Sequence, residues 1–326
     1  MKSLAFVGCA HIHTPGFINA CKERLLPIAA VWDHEPERAA RNADALGCPS
    51  RELREILEDP AIDGLVICSE TDRHEPIVME AVDSGKALFV EKPLGLGARD
   101  ALMIANAIEA SGCLFHTGYR MRGEPAVQTL QRILLNGNLG TVTRVRASVC
   151  HNGALGGWFD GEWRWMADRK QAGVGAFGDL GTHGLDILIW LFGEVESVSA
   201  VIGMGTARYP GCDEYGEALL RFNSGVVGTL AASWDDVADP IRLVVSGTEG
   251  HAMLTNDGLY VQSENLLMDG KSPAPLDDGV SAGFGAFLDW AQDMPAVFVS
   301  PREAAYRCVV MDAIYRAAET KTVQNV

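Results

Sequence analysis

The chain is short of positive charge. Its 326 residues carry 27 Lys and Arg against 43 Asp and Glu, for a formal net charge of −16. Nucleic acid and anionic membrane surfaces are repelled by such a field, and neither is expected as a partner. Long apolar runs are also lacking, and no stretch approaches the length needed to span a bilayer. The eight cysteines are scattered, with no C-x-x-C pair. That spacing excludes a zinc knuckle and a redox dithiol. Several lie inside apolar runs, such as Cys68 in Gly64-Leu65-Val66-Ile67-Cys68, and read as small buried hydrophobes. Unpaired thiols suit a reducing compartment, and the chain opens on the strand-like Leu4-Ala5-Phe6-Val7 with no signal peptide before it. The expectation is a cytoplasmic protein with no membrane as partner. No internal repeat of solenoid period is present.

What is present is an ordinary globular balance, 48% hydrophobic and 21% charged, over a length that suits two cores better than one. Short apolar runs recur at 3–9, 27–33, 63–68, 86–90 and 113–117. Between them, at 14–25, 35–46, 51–58, 72–84 and 97–111, apolar residues take helical spacing. Strand and helix alternating at these lengths predict βαβ units on a doubly wound parallel sheet. After residue 120 the pattern changes. A helix at 123–136 leads to a long strand at 141–150, a Gly- and Trp-rich loop at 152–177 and a strongly apolar helix at 178–192. Strands follow at 195–204, 214–222, 226–234, 241–246, 250–255 and 258–263, separated by turns such as Asn223-Ser224-Gly225. Helices at 282–293 and 301–319 close the chain. The expected division is a Rossmann domain over 1–120 and an α+β domain over 121–326, built on a largely antiparallel open sheet.

The first run ends Gly8-Cys9-Ala10-His11-Ile12-His13. A dinucleotide fingerprint places G-x-G-x-x-G at such a junction. Gly8 matches, Ala10 is a tolerable substitute, and His13 stands where the third glycine allows close helix–strand packing, so the turn must widen or tilt. The second run ends in Asp33, an acid placed to accept hydrogen bonds from the adenosine ribose and to repel a 2′-phosphate. NAD is therefore expected over NADP. Asp33 also suits the entry to the helix that begins near Pro36. His-x-His after a first strand opens the metal sites of some hydrolase barrels, but the βα repeats stop too early for a barrel. The other reading of His11 and His13 sets one against the cofactor phosphates and the other in the space a glycine leaves.

The run at 86–90 leads into Glu91-Lys92-Pro93. With Asp63–Ser69 followed by Thr71 and His74, with Asp179-Leu180-Gly181-Thr182-His183, and with Glu217–Gly225 and Ser246–Gly250, this order of motifs resembles the glucose–fructose oxidoreductase, inositol dehydrogenase and rhizopine catabolism family, Gfo/Idh/MocA. The resemblance spans nearly the whole chain; the altered glycine turn is the main departure. It implies that Lys92, Asp179 and His183 act together on a substrate hydroxyl, and that Ser69, Thr71, His74, Glu91 and Lys92 join Gly8, Ala10, His11, His13 and Asp33 around the cofactor. The chemistry agrees. Asp179 and His183 are four residues apart, on one face of a helix. A neutral imidazole accepts the hydroxyl proton, a carboxylate orients it, and an ammonium stabilises developing alkoxide charge.

The loop Trp158–Trp165 combines aromatic faces with Arg and carboxylates, which suits carbohydrate. Trp163 and Arg164 fall where the resemblance implies substrate contact. Tyr119, Arg120 and Arg122, after the run at 113–117, and His151, at the end of a long strand, are further substrate candidates. The expected function is NAD-dependent oxidation of a hydroxyl on a sugar, glycoside or cyclic polyol by a homo-oligomer, dimer or tetramer. The alternatives are tightly held NAD used for internal redox, as in an epimerase or a glycoside-cleaving enzyme, a metal-dependent hydrolase using His11 and His13, and a non-catalytic sensor that keeps the fold.

Overall fold

Most strands and helices fall where the two periodicities put them. A computed structural model describes residues 1–326. In chain order the first elements are β1 (Leu4–Cys9), α1 (Thr14–Glu23), β2 (Ile28–Trp32), α2 (Pro36–Leu46), α3 (Leu53–Glu58), β3 (Gly64–Cys68), α4 (His74–Ala81), β4 (Ala87–Val90), α5 (Ala98–Ser111) and β5 (Phe115–Thr117). Next come α6 (Pro125–Leu135), β6 (Val142–Cys150), α7 (Arg169–Ala172), α8 (Ala176–Phe192), β7 (Val195–Gly203), β8 (Tyr215–Phe222) and β9 (Val227–Ser233). The chain ends with β10 (Ile241–Gly247), β11 (Gly250–Thr255), β12 (Leu259–Ser263), β13 (Met268–Pro273), α9 (Phe284–Ala291), α10 (Pro301–Thr320) and β14 (Gln324–Asn325).

The elements group into two compact units. The first holds Met1–Arg120, Phe159–Gly173 and Ser281–Cys308; the second holds Met121–Trp158, Val174–Val280 and Val309–Val326. In the first, β1 to β5 form a parallel sheet in the order β2-β1-β3-β4-β5. Successive side chains leave opposite faces of a strand. Leu4 and Phe6 of β1 therefore join Val66 and Phe89 on the face covered by α1, α2 and α9, while Ala5 and Val7 join Leu65, Ile67, Leu88 and Val90 under α4 and α5. Burial on both faces explains the uninterrupted apolar runs. Each fully buried Leu, Val or Phe adds about 1.5–3 kcal/mol over an exposed one.

Where the sequence reading put all of 121–326 in one domain, the packing returns two segments to the first unit. Phe284, Phe287, Leu288 and Ala291 of α9 complete one side of its core, and Val299, Ala304, Ala305 and Cys308 complete the other. The indole of Trp165 donates to the Ala10 carbonyl at 3.1 Å. The chain passes from β1 to β2 on one side, then back across β1 to β3. This reversal opens a crevice at the carboxyl ends of β1 and β3, the place where open α/β sheets bind ligands.

The second unit carries a nine-stranded sheet, β13-β12-β11-β10-β6-β9-β8-β7-β14. Every neighbouring pair is antiparallel except β6 with β9. Strand β8 shows why one face is covered: Gly216, Ala218, Leu220 and Phe222 are buried, and Tyr215, Glu217, Leu219 and Arg221 are exposed. Helix α8 packs on the buried face, and Gly184 makes the close approach possible, since a Cβ there would lie 2.7 Å from Leu230. No helix is long and apolar enough to cross a membrane.

Candidate active site

In the first unit the switch-point turn is built around Gly8. Its φ is +84°, and a Cβ there would lie 2.6 Å from that of Ser69. Only glycine meets both conditions. The ends of β1 and β3 thus touch through backbone, and the His11 amide donates to the Cys68 carbonyl at 2.9 Å. His11 is 2% exposed, while 40% of the His13 side chain is open. Neither imidazole is idle filler. His13 Nδ1 lies 2.5 Å from Glu91 Oε1, and His11 Nδ1 lies 3.7 Å from the same oxygen. The rings meet edge to face with centroids 4.6 Å apart. Thr14 opens α1 directly after His13, with proline in the first turn, so the altered fingerprint still delivers a helix start at the crevice.

Glu91 is fully buried at the end of β4, and its other oxygen accepts the Lys92 amide at 2.5 Å. Burial alone raises its pKa, but His11, His13 and Lys92 outweigh that, and the carboxyl lies well below its ordinary range. A Cβ on Gly118 would sit 2.2 Å from Glu91 Oε2, so the residue after β5 must be glycine for Glu91 to fit. Lys92 is 2% exposed and precedes a cis peptide to Pro93. Ser69, Thr71 and His74 are buried along the segment that leaves β3. His74 Nδ1 donates to the carbonyls of Pro93 and Leu94 at 3.1 and 3.3 Å. Burial lowers its pKa, consistent with a neutral ring that pins the turn after Lys92.

Asp33 stands at the tip of β2, 4% exposed. Its oxygens accept from the Cys9 amide at 2.7 Å, the Glu35 amide at 2.9 Å, and Arg38 Nε and Nη2, both at 2.8 Å. A carboxylate has about four lone-pair directions, and all four are filled. Arg38 also donates to Glu70 at 2.9 Å. Burial opposes its charge, but the two carboxylates hold its pKa above the ordinary arginine value. The turn itself fits a dinucleotide: Gly8 lets the ends of β1 and β3 close on each other, and α1 starts there. At the ribose end the acceptor is shared with Arg38.

In the second unit, Asp179 and His183 lie one turn apart on α8. Asp179 is 8% exposed and accepts the Trp234 indole N–H at 3.2 Å. Gly175, before the helix, offers no side-chain cap. Asp213 and Tyr315 do that work. Asp213 Oδ1 accepts the Phe177 amide at 2.8 Å, and Oδ2 accepts the Tyr315 hydroxyl at 3.0 Å. That hydroxyl accepts the Gly175 and Gly178 amides at 3.1 Å each. Asp213 also adds negative charge at the helix N-terminus, where it is favourable.

The remaining candidates divide. Tyr119, expected at the substrate, is 1% exposed within the core of the first unit. Arg122 is bound to Asp186 of α8 through Nε at 2.8 Å and Nη2 at 2.6 Å, and its guanidinium lies over Trp190. Both serve as supports here. Arg120 is exposed, Trp163 is half-buried, and exposed Arg164 donates to the Ala167 carbonyl at 2.7 Å. His151 Nδ1 accepts the Gly153 amide at 2.9 Å, with its ring 4.6 Å from that of Trp158. Sequence reasoning missed Arg38, Glu70, Gly118, Asp213, Trp234 and Tyr315 as site residues. Their partners lie 5 to 140 residues away, and no local motif announces them.

Residues 2–119 match the family model for the oxidoreductase family, NAD-binding Rossmann fold, and residues 127–253 match the GFO/IDH/MocA C-terminal domain. A scyllo-inositol 2-dehydrogenase (NAD(+)) of Bacillus subtilis is 30% identical over 233 residues, 68% of this chain and 64% of that protein. A levoglucosan dehydrogenase of Pseudarthrobacter phenanthrenivorans is 25% identical over 252 residues, 69% of this chain and 64% of that protein. The aligned part thus spans just under two thirds of these relatives. A levoglucosan dehydrogenase solved in complex with NADH and levoglucosan superimposes with a TM-score of 0.81 at 21% identity, covering 100% of this chain and 99% of that one, a likeness of fold.

Proposed function

Because the chain belongs to the Gfo/Idh/MocA oxidoreductase family and carries its NAD-binding Rossmann domain, we propose that it oxidises a hydroxyl of a sugar, glycoside or cyclic polyol with NAD. The observation that carries this reading is Lys92, an almost fully buried lysine at the carboxyl edge of the sheet that also carries the dinucleotide turn. The residues around that turn, Gly8, Ala10, His11, His13, Asp33, Ser69, Thr71, His74 and Glu91, form the cofactor cradle. NAD supplies the hydride acceptor when bound; the chain supplies position and charge. His183 takes the hydroxyl proton on its imidazole, and Asp179 orients that ring and stabilises the imidazolium. Lys92 supplies an ammonium that stabilises developing alkoxide charge. Arg120, His151, Trp163 and Arg164 recognise the remaining hydroxyls and ring faces.

NAD is preferred over NADP because Asp33, buried at the tip of β2, sets a carboxylate where a 2′-phosphate would come, and Arg38 beside it is already bound to Asp33 and Glu70. The protein is cytoplasmic, in keeping with eight free cysteines. It is a homo-oligomer that covers the outer face of the large sheet, where Val201, Tyr215, Leu219, Val227 and Ile241 are exposed. Absorbance at the NADH wavelength, recorded with NAD and a panel of inositols, aldoses and anhydrosugars, tests the activity. Steady NADH release is expected. Product formed without net NADH would move the reading to internal redox.

A further inference from the structure

The two histidines of the dinucleotide turn converge on one buried oxygen. The ligand-type atoms of His11, His13 and Glu91 all lie within 4.8 Å of one another. Around a tetrahedral ion with bonds of about 2.0–2.1 Å, neighbouring donors stand about 3.3 Å apart. The observed separations from Glu91 Oε1, 2.5 Å to His13 Nδ1 and 3.7 Å to His11 Nδ1, bracket that value. His13 is the member free to yield, since 40% of its side chain is exposed, whereas Glu91 and His11 are held in the interior. Glu91 is also oriented by a second group, because Oε2 accepts the Lys92 amide. Such outer partners fix the direction of a ligating carboxylate.

We propose that His11, His13 and Glu91 form a binding site for a late first-row transition-metal dication such as Zn²⁺, with its fourth position open to water on the solvent side of His13. Two imidazoles and one carboxylate are a donor set that zinc accepts. The His11 Nδ1 lone pair, now given to the His13 amide at 3.2 Å, passes to the ion. A single carboxylate gives the site little negative charge with which to hold a hard cation. Mg²⁺ and Ca²⁺ seek oxygen ligands in number and find one carboxylate. Zn²⁺, Ni²⁺ and Cu²⁺ bind imidazole nitrogen well. The site goes beyond the activity proposed above, and its three ligands belong to the turn proposed to cradle the cofactor.

Metal-free, reduced, full-length protein titrated calorimetrically with ZnCl₂ tests this, with bound metal counted by elemental analysis. One equivalent of Zn²⁺ and no Mg²⁺ is expected. Co²⁺ in its place should give the visible bands of a tetrahedral site. His13→Ala, at a half-exposed position, should keep its circular dichroism, weaken zinc about 100-fold or more and lose the cobalt bands. Glu91→Gln should weaken zinc likewise. Zinc held with unchanged affinity by His13→Ala would place the ion elsewhere, as at His34, Glu35 and Glu70, and overturn the proposal. Failure of the wild type to take up one equivalent would overturn it too.

Discussion

The two units hold their chemistry by different means. In the first, the candidate residues stand at strand ends, and each is fixed by polar partners from another strand end or turn. Asp33 takes four hydrogen bonds from Cys9, Glu35 and Arg38, and Glu91 is gripped by His13 and the Lys92 amide. In the second, Asp179 and His183 ride on one helix. Their placement depends on how Asp213, Tyr315 and Trp234 tie that helix. Buried charge networks are costly to break, because removing one partner strands the others. A helix start held by neutral and charge-assisted bonds gives way by smaller amounts. Substitutions in the Asp33–Arg38–Glu70 network of the first unit should therefore be read in stability, and those at His183 of the second mainly in turnover.

The largest expected effect is on chemistry. His183→Ala should lower kcat by about 100- to 10,000-fold, the usual worth of a positioned base, with the unfolding midpoint nearly unchanged; stopped-flow NADH formation and urea melts separate the two. Next is Arg38→Ala, which leaves Asp33 and Glu70 buried without their cation and should cost about 3–5 kcal/mol in urea unfolding. A loss below 1 kcal/mol would erase the contrast between the units. Tyr315→Phe removes the acceptor of the Gly175 and Gly178 amides and the donor to Asp213. About 1–3 kcal/mol of stability should go, and kcat should fall while the KM for NAD stays put.

The smallest effect is a slope. Burial first, and then the neighbouring charge of Glu214, push the Asp235 carboxyl up from 3.8 to about 6. The native state then binds this proton more tightly than the unfolded chain. Its contribution is largest in acid, falls as pH rises from 3.8 to about 6, and stays lost above that. Asp235→Asn should flatten the stability profile over that window; an unaltered slope would place the titration elsewhere.

Much of the fold was legible because burial on both faces writes itself as continuous apolar runs, and one-sided burial as the alternation seen in β8. Strand β13 was missed because Met268–Pro273 is almost wholly exposed and carries no such pattern. The return of α9 to the first unit was missed because its apolar face, Phe284, Phe287 and Leu288, does not say which core it joins. The positions of Lys92 at a strand end and of Asp179 and His183 one turn apart on α8 were legible from a tripeptide and from helical spacing. Asp213 and Tyr315 were not, since they meet across 102 residues. The altered glycine turn was read as a weakened fingerprint. The structure adds that its two histidines are organised by Glu91, a relation no local spacing could carry.

The most direct test of the account is the rate of NADH formation from NAD and the best polyol or sugar of a broad panel, compared among wild type, Lys92→Ala and His183→Ala at equal folded concentration. Steady NADH release by the wild type, with a loss of at least about 100-fold in each variant, is the predicted result. Wild-type rates in either variant would contradict it.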